Sequence, residues 1–306
     1  MKNWRYVIYA LGLIVTISSP FYCSVYLLNI MGLIFIHMTL ALSWDLLLRS
    51  GQLSLGISGF FGLGVYAASL AFLRAGLHPL LGIILGGLLG GIVALLVGKA
   101  VLHLRGMYFA IVTLALAEAF RVAIRNIPQL SGGPEGMVLP ALIFGGDPSK
   151  TYWLALAVAL FTIIVSLVFQ KTRVHFALTS IRNDEIVAKS SGIDVFKYLV
   201  WTFAFTSSIQ AVAGGLYAHI YGFVSPEGSF SLELVLLPII MAVVGGVTTT
   251  WGPVIGAVLL GSMAEFLKMI IPYGHLLIYG IIIVIVVLFF PKGIIGTLKE
   301  RFQENR

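Results

Sequence analysis

The sequence predicts an all-α, polytopic membrane fold, and three observations carry that prediction. Hydrophobic residues make up 59% of the 306 and charged residues 10%, where a soluble domain runs near half apolar and a quarter charged. The apolar residues fall in runs of about 20, the length that crosses roughly 30 Å of hydrocarbon at 1.5 Å rise per residue. The net charge of +7 sits on the short segments between those runs, which is how membrane proteins fix their orientation. Soluble enzymes, nucleic-acid binders and disordered chains are excluded by the same figures, and little chain remains for a domain outside the membrane.

Ten candidate helices follow in order. The first, near 6–22, comes after Lys2 and Arg5 and ends at Ser18, Ser19 and Pro20. That pattern also resembles a cleaved secretory signal, but a further apolar run opens at Val25, so a retained membrane helix is the expectation. The second, 26–48, is unbroken until Asp45 and Arg49, four residues apart at a cytoplasmic helix end, where an interfacial salt bridge is expected. The third, 52–74, opens on the Gly- and Ser-rich run from Ser50 to Gly64. In the fourth, 79–98, Gly82, Gly86 and Gly90 recur every fourth residue, as do Gly87 and Gly91, a small-residue surface for close helix packing. The fifth, 106–125, carries Glu118, Arg121 and Arg125 on one face. The sixth and seventh are 152–170 and 199–222. The eighth, 234–250, and the ninth, 253–271, flank a second Gly-rich run, Gly245 to Gly256, in which Pro253 withdraws a backbone donor. Glu265 and Lys268 close the ninth, and 274–290 is the tenth.

With the N-terminus inside, Arg74, Arg121, Arg125, Lys150 and Lys268 fall on one side of the membrane and every other Lys and Arg on the cytoplasmic side. Both termini are therefore expected in the cytoplasm. Eight spans satisfy the same parity, because the Gly-rich segments near 52–64 and 245–256 could dip into the membrane and return. Both mix Gly with Ser, Thr or Gln inside apolar surroundings, the composition of broken helices that line a wet path.

Catalytic chemistry is missing at each step. No HExxH occurs, the six histidines are scattered, and Cys23 is alone, so neither a metal nor another cofactor is expected. Leu96 to Ala100 lacks the leading Gly and the hydroxyl of a phosphate-binding loop, and Gly62, Gly64 and Ala67 match a dinucleotide fingerprint without its strand or its carboxylate. The chain is not expected to hydrolyse ATP. Glu118 is read either as half of a structural ion pair or as a polar element of a transport path.

The longest cytoplasmic connection, 171–198, is the most informative aqueous segment. Asn183 or Asp184 can cap a short helix with an acidic first turn, and Gly192 can end it in the left-handed region. Leu178, Ile181 and Val187 would project from it toward a partner's groove.

Six ordered segments resemble the permeases of branched-chain amino acid ABC importers, and within them the LivM-like branch. They are SGQLSLG at Ser50 to Gly56, RGMYFAIVTLALAE at Arg105 to Glu118, SGGPEGM at Ser131 to Met137, SIRNDEIVAKSSGID at Ser180 to Asp194, GGLYAHIYGFVSPE at Gly214 to Glu227, and GGVTTTWGPVIGA at Gly245 to Ala257. The resemblance implies one permease domain over 1–306 in a bacterial or archaeal cytoplasmic membrane, contacting lipid and no nucleic acid. It also implies a homologous second permease, two ATP-binding subunits and an extracytoplasmic binding protein as partners. On it, Arg182, Asn183, Asp184, Glu185, Ala188 and Gly192 belong to the segment that inserts into the ATPase. Ala188 and Gly192 keep the spacing of the general importer motif, whereas Ile186 and Val187 depart from it. The expected function is import of leucine, isoleucine and valine, with urea or short amides as the alternative cargo and an ion-coupled secondary carrier as the rival mechanism. A path built on Ser54, Ser58, Gly59, Glu118, Thr248 and Trp251 would pass the zwitterionic head group between apolar walls.

Overall fold

The computed structural model describes residues 15–140 and 142–270, with 278, 280, 281, 284, 288 and 293–297. The expected first and tenth spans, 6–22 and 274–290, lie largely outside these residues. Among the described residues eight helices are long and apolar enough to cross a membrane. They include Val25–Leu48 (α1), Ile57–Ala75 (α2), Pro79–Val101 (α3), Met107–Arg125 (α4) and Pro148–Phe169 (α5). Two short helices, Arg173–Asn183 (α6) and Glu185–Ser190 (α7), precede Val195–Tyr221 (α8). Glu233–Gly245 (α9), led by one turn at Pro226–Ser229, and Trp251–Ile270 (α10) complete the set.

Boundaries depart from the expected ones where a cap decides them. Asp147 Oδ1 accepts the Ser149 and Lys150 N–H groups, so α5 starts ahead of 152 with Pro148 in its first turn. Asp194 Oδ1 accepts the Lys197 N–H and starts α8 ahead of 199. Both Gly-rich runs interrupt helices. Ser50–Gly56 is turn and coil before α2, and α9 stops at Gly245 because Gly246 has φ +117° and Thr248 φ +63°.

The central helix is α8, packed on α1, α2 and α3. It comes close because two contacts have no side chain. A Cβ on Gly64 would overlap the Ala211 carbonyl, and one on Gly214 would overlap the Phe61 carbonyl. On α3 the glycines divide their duty, Gly82 and Gly86 facing α2 and Gly87 and Gly90 facing α8. At the far end Met137–Val138 (β1) pairs antiparallel with Phe223–Val224 (β2), and the Leu139 N–H donates to the Gly222 carbonyl at 2.8 Å. This clasp fastens the 126–147 connection to the end of α8. A second apolar core lies at the other end, where Phe60, Phe109 and Phe203 meet Leu178 and Ile181 of α6.

Candidate functional site

The α6–α7 segment is built by local hydrogen bonds. Asp184 Oδ1 accepts the N–H groups of Ile186 at 2.8 Å and Val187 at 3.1 Å and so caps α7. Gly192, at φ +81°, ends it: Ile193 N–H bonds the Ala188 carbonyl at 3.1 Å and Gly192 N–H the Lys189 carbonyl at 3.0 Å, the paired closure of a Schellman turn. Glu185 anchors the helix to the bundle, accepting from Arg105 Nε at 2.7 Å and from Lys189 Nζ at 2.9 Å. The Arg105 bond, then the Lys189 bond, holds the Glu185 carboxyl down at about 2.

Side-chain directions differ from the expected ones. Leu178 and Ile181 do not project outward; with buried Ala177 they turn α6 onto Val195 and Leu199 of α8. One helical face of α6 is apolar and the bundle covers it, which leaves Phe176 on the outside. Ile186 and Val187 on α7 are 77% and 60% exposed, and Ala188 is buried between them and the bundle. Arg182 and Asn183 are exposed in the last turn of α6.

Beneath this segment lies a buried polar network. Asp45 and Arg49 are not interfacial: their side chains are 0% and 1% exposed. They are enclosed because α5, the Ser50–Gly56 loop and the 246–250 turn close over the end of α1. Arg49 Nε and Nη2 donate to Asp45 Oδ2 at 3.0 and 2.8 Å, and Nη2 also donates to Ser166 Oγ at 2.9 Å. The Ser166 and Thr250 hydroxyls share a 2.7 Å bond, and Gln170 Nε2 donates to Thr250 Oγ1 at 3.0 Å. The other oxygen of Asp45 accepts the backbone N–H of Thr248. A β-branched residue at φ +63° is a backbone outlier, and this carboxylate holds it in place. The network thereby joins α1, α5 and the α9–α10 turn. Arg182 of α6 approaches its edge: its side chain packs over Gly51, two residues beyond Arg49, and its charge is felt at Asp45 without a direct contact. Burial, followed by the Arg49 and Arg182 charges, lowers the pKa of His175, so that imidazole is neutral at pH 7.

The remaining sequence-derived positions fall in three places. Ser54, Ser58 and Gly59 are buried where α2 begins. The Ser54 carbonyl accepts Trp44 Nε1 at 2.8 Å, Thr113 Oγ1 accepts the Leu55 N–H at 2.9 Å, and Gly59 faces Ala117 of α4. Thr248 and Trp251 lie at the α9–α10 turn. Glu118 is not brought to either group. It is 51% exposed on the outer side of α4 and paired with Arg121 at 2.8 Å, while Arg125 pairs instead with Glu227 at 3.5 Å. Sequence reasoning missed Ser166 as a partner of Arg49, and Thr250 and Gln170 as the residues that extend the network beyond it. The available signal was the pair of polar residues one turn apart, Ser166 and Gln170, closing an otherwise apolar helix.

Compared with known proteins, residues 26–287 match the model of the family described as branched-chain amino acid transport system, permease component. The high-affinity branched-chain amino acid transport system permease protein LivM of Salmonella typhimurium is 29% identical over 95% of this chain and 75% of its own length. The probable LivM of Methanocaldococcus jannaschii is 25% identical over 80% of this chain and 78% of its own. The LivH permease protein of Salmonella typhimurium is 24% identical over 61% of this chain and 64% of its own. No solved structure matches the chain.

Proposed function

The chain belongs to the family of permease components of branched-chain amino acid transport systems, with LivM-type relatives along almost its whole length, and on that premise we propose that it imports leucine, isoleucine and valine as one of two membrane-spanning subunits of an ATP-driven complex. It is a multi-pass protein of the cytoplasmic membrane. Its companions in this reading are a second, homologous permease, two ATP-binding subunits and an extracytoplasmic binding protein. Residues 171–198 form the coupling segment.

One observation carries the mechanism. A capped helix presents Ile186 and Val187 to the outside, and the segment behind it packs, through Arg182, on Gly51, two residues beyond the Arg49 of the network that holds the Thr248 turn. Closure of the ATPase pair pushes α7 in a groove, α6 moves against the end of α1, and the two Gly-rich segments change their packing. A ligand shifts such an equilibrium only by its differential affinity for the two states, so the energy comes from nucleotide binding and hydrolysis in the companions.

The test is reconstitution. The assembled complex should concentrate leucine in vesicles only with ATP, whereas this chain alone should not. Gly192→Val, which forces a β-branched residue into the left-handed region, should abolish uptake while the chain still inserts. Gradient-driven uptake by the chain alone would replace this reading with a secondary carrier, and uptake of urea that leucine does not inhibit would reassign the cargo.

A further inference from the structure

At the end of the bundle opposite α6 and α7 a cavity of about 80 Å³ lies between α1, α9 and α10. That is several times the space one water molecule needs. Its charged and polar lining is His37, Glu233, Glu265 and Lys268. Leu33, Ile34, Leu237 and Met241 form apolar walls. The charged groups lie above most of the apolar lining, whereas His37, one turn beyond Leu33 on α1, is set deeper among the walls. Glu233 opens α9 and Lys268 lies in the last turn of α10, while Met241 is eight residues further along α9, about 12 Å deeper at helical rise. Charge is therefore at the mouth and hydrocarbon below it.

Among the described residues, none uses up these polar groups. Glu265 Oε1 holds Lys268 Nζ at 2.6 Å, which leaves the second carboxylate oxygen and two ammonium protons. Glu233 forms no ion pair with any described residue. His37 is only 8% exposed. Its Nδ1 lies 3.0 Å from the Leu33 carbonyl, which can only accept, so Nδ1 carries the proton and Nε2 is left without a described partner. Two carboxylates against one ammonium leave a negative surplus beside a cation with unused donors. A ligand that carries adjacent positive and negative groups fits both, its ammonium on Glu233 and the free Glu265 oxygen, its carboxylate on Lys268. An aliphatic body follows the apolar walls downward.

We propose that this cavity binds a zwitterion with a short aliphatic body, the ionised form of a free aliphatic α-amino acid. The proposal rests on the amino acid permease reading and adds the site to it. The placement also ties ligand to motion: α9 and α10, which flank the cavity, are joined at the other end by the turn that Asp45 of α1 holds.

The test is leucine binding to the permease and ATP-binding subunits in nanodiscs without the binding protein, with uptake by the full complex measured in parallel. Lys268→Met and Glu233→Gln should each weaken leucine about tenfold or more, the scale of one lost charge-assisted contact. A charge swap, Glu265→Lys with Lys268→Glu, rebuilds the ion pair and should leave binding impaired. A wild type that moves leucine while both single variants bind it unchanged, or a swap that restores full affinity, overturns the site alone. A wild type that neither binds nor moves leucine overturns the transport reading and the site with it. Leucine affinity that falls as phosphatidylethanolamine replaces phosphatidylglycerol in the disc would assign the cavity to a lipid head group and overturn the free amino acid as its occupant. Affinity independent of that exchange supports the proposal.

Discussion

Replacing Arg49 with Met should be the most damaging single change at the α6–α7 end of the bundle. Three hydrogen bonds, at 2.8, 2.9 and 3.0 Å, end on this guanidinium, and its removal leaves a carboxylate with no exposed surface and no cation in contact with it, only the more distant charge of Arg182. Breaking a buried ion pair at one partner costs about 3–5 kcal/mol. Asp45 keeps the Thr248 N–H, so the loss belongs near 3 kcal/mol. At roughly 2–4 °C per kcal/mol for a chain of this class, the midpoint should fall by about 6–12 °C. The assay is fluorescence-detected unfolding in detergent at one fixed scan rate, because such transitions are commonly irreversible. The double variant Asp45→Asn, Arg49→Met removes both charges and keeps an amide oxygen for Thr248. It should regain most of the loss, since neutral replacement of a buried pair is often harmless. Arg49→Lys should rescue poorly, because an ammonium cannot reach Asp45 and Ser166 with one planar fork. If Arg49→Met melts within about 1 °C of the wild type, or the double variant is as unstable as the two single losses added together, the buried-pair argument is wrong.

Two further outcomes follow from geometry. Gly64→Ala drives a methyl into the Ala211 carbonyl and should lower the yield of folded protein sharply, whereas Gly32→Ala meets nothing within 4 Å and should leave stability unchanged or raise it by about 0.5–1 kcal/mol, checked by the same melting assay. The Glu185 carboxyl is held below its usual value of 4.5 at about 2, so the stability it lends to α7 is complete above the unfolded value and is lost as pH falls through the folded one. Amide exchange in α7 should therefore show the same opening equilibrium at every pH above about 5, after correction for intrinsic rates, and Glu185→Gln should speed it there. A wild-type opening equilibrium that changes between about pH 5 and 8 would mean another group secures the helix.

How far the fold was legible follows from where single residues decide it. The apolar runs and the charge bias located the helices, because hydrocarbon thickness leaves few alternatives for a 20-residue apolar segment. The capped α7 was legible for the same kind of reason: Asp184 and Gly192 act on neighbours a few residues away. Asp45 and Arg49 were legible as a pair and not as a buried one. Their burial depends on Ser166 and Thr250, 117 residues from Arg49 and 84 from Ser166, and spacing along a helix carries no information about such distant cover. The orientation of Leu178 and Ile181 failed likewise, since an apolar face reads the same whether its cover is this bundle or a partner. Glu118 was open to two readings, half of an ion pair or a polar element of a path, and the structure shows the pair with Arg121 on a helix with few buried residues.

The clasp between β1 and β2 gives α8 a part that its sequence of apolar turns does not announce. At 27 residues α8 is about 40 Å of rigid rod, gripped near its first residue by α6 and at its last by the paired strands. Tilting a rod of that length by about 5° carries its far tip by roughly 3–4 Å. The two ends of the bundle thus sit on a single beam, and under the proposed transport reading a nudge at the α6 end would register at the clasp without any relay of loosened contacts between them.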